Sequence, residues 1–394
     1  MTPHDPAACP LCGAPAPVVV EHRAAAPVFQ NVTFATAREA RDCATGRLDF
    51  RGCTACGFVW NSAFDEALCV YDAQYNNDVL ASAYYRAHLD AMADRVLAGL
   101  PGDGPARVVE IGSGQGDFLR RLGERGGARI AAATGFDPAF RNAADAPPLP
   151  ANTAIHALYF SPDTKHLAAG GYDAVISRHT IEHVADPLLF VDVLAFAGRG
   201  GTSRAFVETP RVEWILENTA FYDFFFEHCS LFSEYALWLA MTKAGFRGTV
   251  VPVYGDQYQW FQTTEDAPAP DPAKPDFAAL FADYRQRTRD MIRQWSEWIT
   301  QRRGAGKVAL WGAASKGVTF AQMMDAAGTP VDVAIDMNAK KQGRHLPITG
   351  LRVTAPQALP DLGIASIIVT NPNYETEIRR MCDDLGWSGT ITCL

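Results

Sequence analysis

The 394-residue sequence predicts an α/β protein in three parts, and three observations carry that prediction. Residues 1–70 are rich in Cys and Pro and contain two Cys-x-x-Cys-Gly knuckles. Residues 105–253 alternate short Val/Ile/Ala runs with helical patterns, as strand–helix–strand units of a parallel sheet do. Residues 304–394 repeat that alternation on a smaller scale, with "KVALWGA", "PVDVAID" and "ASIIVTN" as buried strands. At roughly 100–200 residues per domain, the length accommodates this organisation. The division is 1–74, 75–255, a linker and helix over 256–303, and 304–394.

Hydrophobic residues make up 48% and charged residues 20%, the balance of a globular chain with real cores. The net charge is −9 and no Lys/Arg-rich run occurs, so nucleic acid is not an expected partner. The start, "MTPHDPAACPLCG", lacks a basic region followed by an apolar stretch, and no run of 18 apolar residues exists. A cytoplasmic chain without membrane contact is expected, acting on a small molecule as monomer or homodimer. Nine Cys, an odd number concentrated near the N-terminus, suit metal ligation better than a disulfide framework.

The first part is read as a zinc-binding domain. Cys9 and Cys12 form one knuckle and Cys53 and Cys56 the other, followed by Gly13 and Gly57. Two such turns supply four thiolates to one tetrahedral ion, and a closed set of four leaves no open position for catalysis. The zinc is therefore expected to be structural. Cys43 and Cys69 have no such partner and read as free thiols. A helical pattern over 75–100 ends at Pro101-Gly102.

Next comes "RVVEIGSGQGDFL", a buried strand running into Gly112-x-Gly114-x-Gly116 and a helix. Such a turn lets backbone approach a ligand at a helix N-terminus. A dinucleotide fingerprint needs Gly or Ala where Asp117 stands, which disfavours nicotinamide. With Glu110 inside the strand, the loop resembles motif I of class I S-adenosylmethionine (SAM) methyltransferases, and Ser113 belongs to it. The second strand ends in Asp137-Pro138, where an acid can accept from ribose hydroxyls. The third, "AIHALYFSPD", has no acid at its tip (Asp163 lies beyond), so Phe160 and backbone are assigned to the adenine. The fourth brings Ser177, Arg178 and His179 to the carboxyl edge of the sheet. An acidic, Pro-rich linker, "QTTEDAPAPDPAKP", precedes a helix over about 276–303. In the last domain, "LWGAASKGVTF" and "NAKKQGRHLP" place Lys316, Lys340, Lys341 and Arg344 where an anion could be held.

Taken together, these motifs resemble the three-domain, zinc-containing, SAM-dependent sugar C-methyltransferases. The resemblance runs through the knuckles, "VVEIGSGQGDFL", "HTIEHVADP", "EHCSLFS", "WGAASKGVTF", "AIDMNAKKQGRHLP" and "IIVTNPNYETEI", in that order. It implies a central class I methyltransferase Rossmann-like domain and a C-terminal Rossmann-like domain. It also implies SAM as cofactor and a nucleotide-linked 4-keto-deoxysugar as substrate. "FFFEHCSLFS" becomes the catalytic segment.

Carbon methylation beside a ketone needs a base to remove the α-proton, and imidazole, with a free pKa of about 6.5, suits neutral pH. His228 is the expected base, kept neutral by desolvation from Phe224, Phe225 and Phe226. Glu227 is expected to point to a sugar hydroxyl, and His183 to polarise the ketone or orient the substrate. Tyr75 resembles an aromatic lid residue. The family often has Tyr three residues before this His and a polar residue two before it. Phe225 and Phe226 stand there in this sequence, and Tyr222 is the hydroxyl that would substitute. Two other readings stay open, an O- or N-methyltransferase on a non-sugar intermediate and a non-catalytic SAM-binding zinc protein. An oxidoreductase on the last domain would need a fuller fingerprint than Trp311-Gly312-Ala313-Ala314.

Overall fold

The structure, a computed structural model, describes residues 7–69, 83–141, 148–161, 164, 171–198, 203–264 and 271–394. Tyr75, Asp163 and the first residues of the helix expected over 75–100 lie outside them. The chain begins with β1 (Val18–Pro27), α1 (Ala37–Arg41), β2 (Thr45–Gly52) and β3 (Val59–Asn61). There follow α2 (Ala83–Gly99), β4 (Ala106–Ile111), α3 (Asp117–Gly126), β5 (Ile130–Phe136), β6 (Thr153–His156), β7 (Ala174–Arg178), α4 (Pro187–Ala197) and β8 (Arg204–Pro210). Then come α5 (Val212–Glu217), β9 (Ser230–Leu231), α6 (Glu234–Lys243), β10 (Gly248–Val253), β11 (Tyr258–Thr263) and α7 (Phe277–Arg302). The last elements are β12 (Lys307–Trp311), α8 (Ser315–Ala326), β13 (Val333–Ile335), β14 (Val353–Thr354), β15 (Ile364–Val369), α9 (Glu375–Asp384) and β16 (Thr390–Cys393).

Two compact units are made from interleaved segments. Met1–Val20, Asp49–Asn218 and His228–Phe281 form the first; Glu21–Leu48, Thr219–Glu227 and Ala282–Leu394 form the second.

In the first unit a seven-stranded sheet runs in the order β10-β11-β8-β7-β4-β5-β6. The five strands from β8 to β6 are parallel, and β11 is antiparallel to β8 and β10. The antiparallel edge departs from the parallel pattern expected for this region. The turn Tyr254–Gln257 folds β10 back on β11, with Tyr254, Gly255 and Asp256 all in the left-handed region. Apart from Arg107 and Glu110, strand β4 is apolar, and both of its faces are covered. Val108 and Ile176 pack with Leu89, Val96, Phe118 and Leu122 of α2 and α3. Val109, Val175 and Val207 pack with Val191 and Leu194 of α4 and Leu237 and Met241 of α6. From β4 the chain winds through β5 and β6 to one side, then β7 and β8 form the other. The crevice outside the carboxyl ends of β4 and β7 is thus the switch point at which open α/β sheets bind ligands.

The second unit carries an all-parallel sheet, β14-β13-β12-β15-β16. Val308 and Leu310 face Ile299 of α7 and Phe320 and Met324 of α8. Ala309, Ile367 and Val369 face Ile378 and Cys382 of α9. Among the described residues, no helix is long and apolar enough to cross a membrane. The α/β architecture expected from the sequence, with a Rossmann-like core of parallel strands and a second C-terminal α/β domain, is what the chain adopts.

Candidate active site and metal centre

Cys9, Cys12, Cys53 and Cys56 come together in the first unit. Each knuckle closes in the same way: the Cys9 N–H donates to Ala14 O and the Gly13 N–H to Cys9 O, while the Cys53 N–H donates to Phe58 O and the Gly57 N–H to Cys53 O, all at 2.8 Å. Gly13 and Gly57 hold φ of 77° and 73°, a conformation open to Gly at little cost. Sγ of Cys9 lies 3.7 Å from Sγ of Cys56, and Sγ of Cys12 lies 3.6 Å from Sγ of Cys53. Zn–S bonds of about 2.3 Å would place tetrahedral sulfurs roughly 3.7 Å apart, so the donors fit one zinc ion. The thiols also perturb one another. Hydrogen bonds from Cys56 and Cys9 pull the Cys53 thiol down, while hydrogen bonding to Cys53 pushes Cys9 and Cys56 up.

At the switch point, Gly112, Gly114 and Gly116 all have positive φ, but their surroundings differ. A Cβ on Gly112 would meet Thr180 Oγ1 at 2.0 Å, and one on Gly116 would meet Ile155 Cδ1 at 2.2 Å. A Cβ on Gly114 would meet nothing within 4 Å, so the loop presents open space at that residue. Asp137, just after β5, accepts from the Gly114 N–H through Oδ2 and from the Ala139 N–H through Oδ1, both at 2.8 Å. It thereby fixes the loop whose space a ligand would enter. Pro138 beside it is half-buried. Ser113 and Glu110 are buried, and neither Ser113 Oγ nor Glu110 Oε2 has a hydrogen-bond partner among the described residues. Burial pushes the Glu110 carboxyl up to about 8. Phe160, assigned from sequence to the adenine, packs edge-on against Phe136 with centroids 4.9 Å apart.

Arg178 and His179 aim their polar atoms into a buried charge cluster. Arg178 Nε donates to Glu208 Oε2 at 2.7 Å, and its guanidinium lies over the Phe118 ring. His88 also meets Glu208, and His179 Nε2 lies 3.7 Å from the same carboxylate. Against the cost of burial, Arg178 and the two histidines hold Glu208 well below the usual carboxylate range. Despite its own burial, His179 is pushed up to about 10 by Glu182 and Glu208.

His183 and His228 meet edge to face, with ring centroids 4.8 Å apart. The segments carrying them are tied together where Ser230 Oγ donates to Val184 O at 2.7 Å. Glu182, absent from the sequence assignment, joins them: its carboxylate and the two imidazoles keep one donor atom each within 4.8 Å of one another. Thr209 Oγ1 donates to Glu182 Oε2 at 3.0 Å, and His179 Nδ1 lies 3.3 Å from Oε1.

Several other residues of the "FYDFFFEHC" stretch pack in the second unit. Phe224 packs against Tyr284, and Phe226 fills the space beside Gly46, where a Cβ would meet its ring at 2.0 Å. Glu227 is buried and accepts from the Gln30 N–H at 3.2 Å. Tyr222 lies under Lys316, whose Nζ is 5.1 Å from the ring centre, and burial raises its hydroxyl pKa. Lys316 also donates to Leu394 O, Lys341 to Ala313 O, and Arg344 to Thr33. Of the basic residues expected to grip an anion, these three thus have intramolecular partners.

The comparisons with known proteins follow this geometry. Residues 84–251 match a methyltransferase domain family, and residues 271–392 match a family described as the C-methyltransferase C-terminal domain. No curated protein matches the chain. Solved structures similar to part of it include three methyltransferase-related ones. One is a chain of the complex between the Haloferax volcanii Trm112 methyltransferase activator and a methyltransferase (17% identity, TM-score 0.37, 48% of this chain and 93% of that one). Another is an O-methyltransferase family protein from Burkholderia thailandensis (14%, 0.36, 47% and 57%). The third is the SAM-dependent methyltransferase SibL in its apo form (15%, 0.37, 47% and 56%). The chain spans little more than half the length of the latter two. With a Gly-rich loop at the switch point and two methyltransferase domain matches in sequence, the chain is an enzyme, a methyltransferase.

Proposed function

We propose that this enzyme transfers a methyl group to carbon, on a nucleotide-linked keto-deoxysugar, after a base has formed the enolate. The observation that carries the reading is the match of residues 271–392 to a C-methyltransferase C-terminal domain. The His183–His228 pair supports it, because carbon beside a ketone becomes a nucleophile only after losing a proton.

When bound, SAM supplies the electrophilic methyl. Gly114, open above its backbone, and Asp137, pinned to the loop, are assigned to hold it, with Glu110, Ser113 and Pro138 around them. His228 takes the α-proton and His183 orients or polarises the carbonyl. Glu227 and Tyr222 are assigned to the sugar, and Tyr75 to closing over it. The four-Cys centre is assigned a structural zinc, which leaves no position for substrate.

Phe225 favours a second reading. With no hydroxyl at that position to receive the enolate oxygen, methyl transfer to O or N of another substrate would also fit. Paired sugars separate the two. Turnover is expected with a nucleotide-linked 4-keto-deoxysugar and not with its 4-hydroxy counterpart, which cannot enolise. Methylation of the hydroxy sugar at a similar rate would favour O-transfer.

A further inference from the structure

We infer that Glu182 is a positioning residue of this site: its carboxylate, fixed between Thr209 and His179, holds a negative charge beside the His183–His228 pair and supports the imidazolium that forms when His228 takes the substrate's proton. This rests on the reading of His228 as base.

Glu182 is 0% exposed, and of its two oxygens only Oε2 accepts a hydrogen bond among the described residues. Oε2 accepts from Thr209 Oγ1 at 3.0 Å, and Oε1 faces His179 Nδ1 at 3.3 Å. Behind His179 stand Glu208, Arg178 and His88, so the carboxylate is anchored in a network that reaches β8 and α2. On its other side its oxygen lies within 4.8 Å of ring nitrogens of both His183 and His228. The Ser230–Val184 hydrogen bond holds the His228 segment against the turn that carries Glu182 and His183. The titratable groups acting most strongly on Glu182 are His179, His183 and His228; despite burial, they keep its carboxyl below its ordinary range. Cys229, next to His228, has its thiol pushed up by burial and carries no charge to compete.

A fixed anion near an imidazole stabilises the protonated form, and does so more strongly away from water. The reaction balances without moving a proton to Glu182. The substrate Cα–H bond breaks, its proton goes to a ring nitrogen of His228, and its electron pair enters the carbonyl as an enolate. The enolate carbon then bonds to the methyl as the S–CH3 bond breaks, and S-adenosylhomocysteine leaves. Glu182 acts throughout as charge and anchor. The trio's donor atoms could also hold an ion, and the test below separates the two readings.

The test uses the full-length enzyme with SAM and a nucleotide-linked 4-keto-deoxysugar, with kcat and KM followed from pH 5 to 9. Glu182→Gln should leave KM within about twofold and lower kcat by about 30–100-fold, part of the range for acid–base assistance. The acid limb of kcat should move to lower pH, because an imidazolium without its carboxylate gives up its proton more readily. Glu182→Asp keeps the charge but withdraws it by one methylene, and should lie between wild type and Gln in both readouts. An unmoved acid limb in Gln, or in Asp alone should Gln fail to fold, would overturn the assignment. So would a second divalent ion per chain, beyond the four-Cys centre, that is lost in Glu182→Gln. Failure of the base reading looks different: His228→Asn would keep α-proton exchange whatever Glu182 does.

Discussion

His183 and His228 reach one another from different parts of the chain, across the turn after β7 and the start of β9. His228→Asn is expected to keep SAM affinity and lower kcat by about 100-fold or more. With a non-reactive SAM analogue in place, the substrate α-proton should exchange with deuterated solvent in wild type and stop exchanging in the variant. Persistent exchange would move the base to His183. Both histidines were legible because each sits in a motif, "IEHVADP" or "EHCSLFS". Glu182 was not, because its importance depends on which side chains the fold brings to it. For the Phe run, residue type announced burial, but not that Phe224 packs on Tyr284 and Phe226 beside Gly46. Glu110 offers a separate check. Burial pushes its carboxyl up to about 8, so the folded chain keeps a proton that the unfolded chain releases above about pH 4.3. The associated stability is full at low pH and lost as pH rises through 8. Glu110→Gln should therefore gain Tm relative to wild type as pH goes from 5 to 8, measured without SAM. A difference that stays flat would contradict the buried neutral acid.

The two α/β units share one device at the level of the element. In the first, the acid after β5 accepts the Gly114 N–H; in the second, Asp336 after β13 accepts the Ala313 N–H at 2.7 Å. Each acid also takes the N–H two residues on, from Ala139 and from Asn338. The loop after the first strand of each sheet is thus pinned by the end of its neighbour. The sequence showed the strand–Gly–helix pattern in both places, because β4 and β12 are apolar runs ending in Gly. It did not show the β10–β11 hairpin, since a buried strand reads alike whichever way it runs. Gly114→Val should abolish SAM binding by calorimetry, through a branched side chain at φ +54° in the space left for the ligand. Asp137→Ala should weaken binding by about 1.5–3 kcal/mol, the scale of hydrogen bonds to a charged group. Unchanged affinity in both would remove the site from this loop.

Across the whole molecule, segments 21–48 and 219–227 leave their sequence neighbours to join the C-terminal residues. Local periodicity could not reveal this, because it is tertiary contact that assigns those segments. The consecutive boundaries read from texture therefore describe sequence blocks, while the compact units interleave. The four-Cys centre draws on Cys9, Cys12, Cys53 and Cys56, on either side of one such excursion. Purified chain is expected to hold one zinc, and Cys53→Ser to lower Tm while leaving SAM affinity largely intact. Well under half an equivalent of zinc would contradict the centre. The central claim, methyl transfer to carbon, is tested most directly by the position of the new methyl group. After reaction of SAM carrying a 13C-labelled methyl with a nucleotide-linked 4-keto-deoxysugar, the NMR spectrum should show the label bonded to the ring carbon beside the ketone. A label on oxygen or nitrogen would contradict the account.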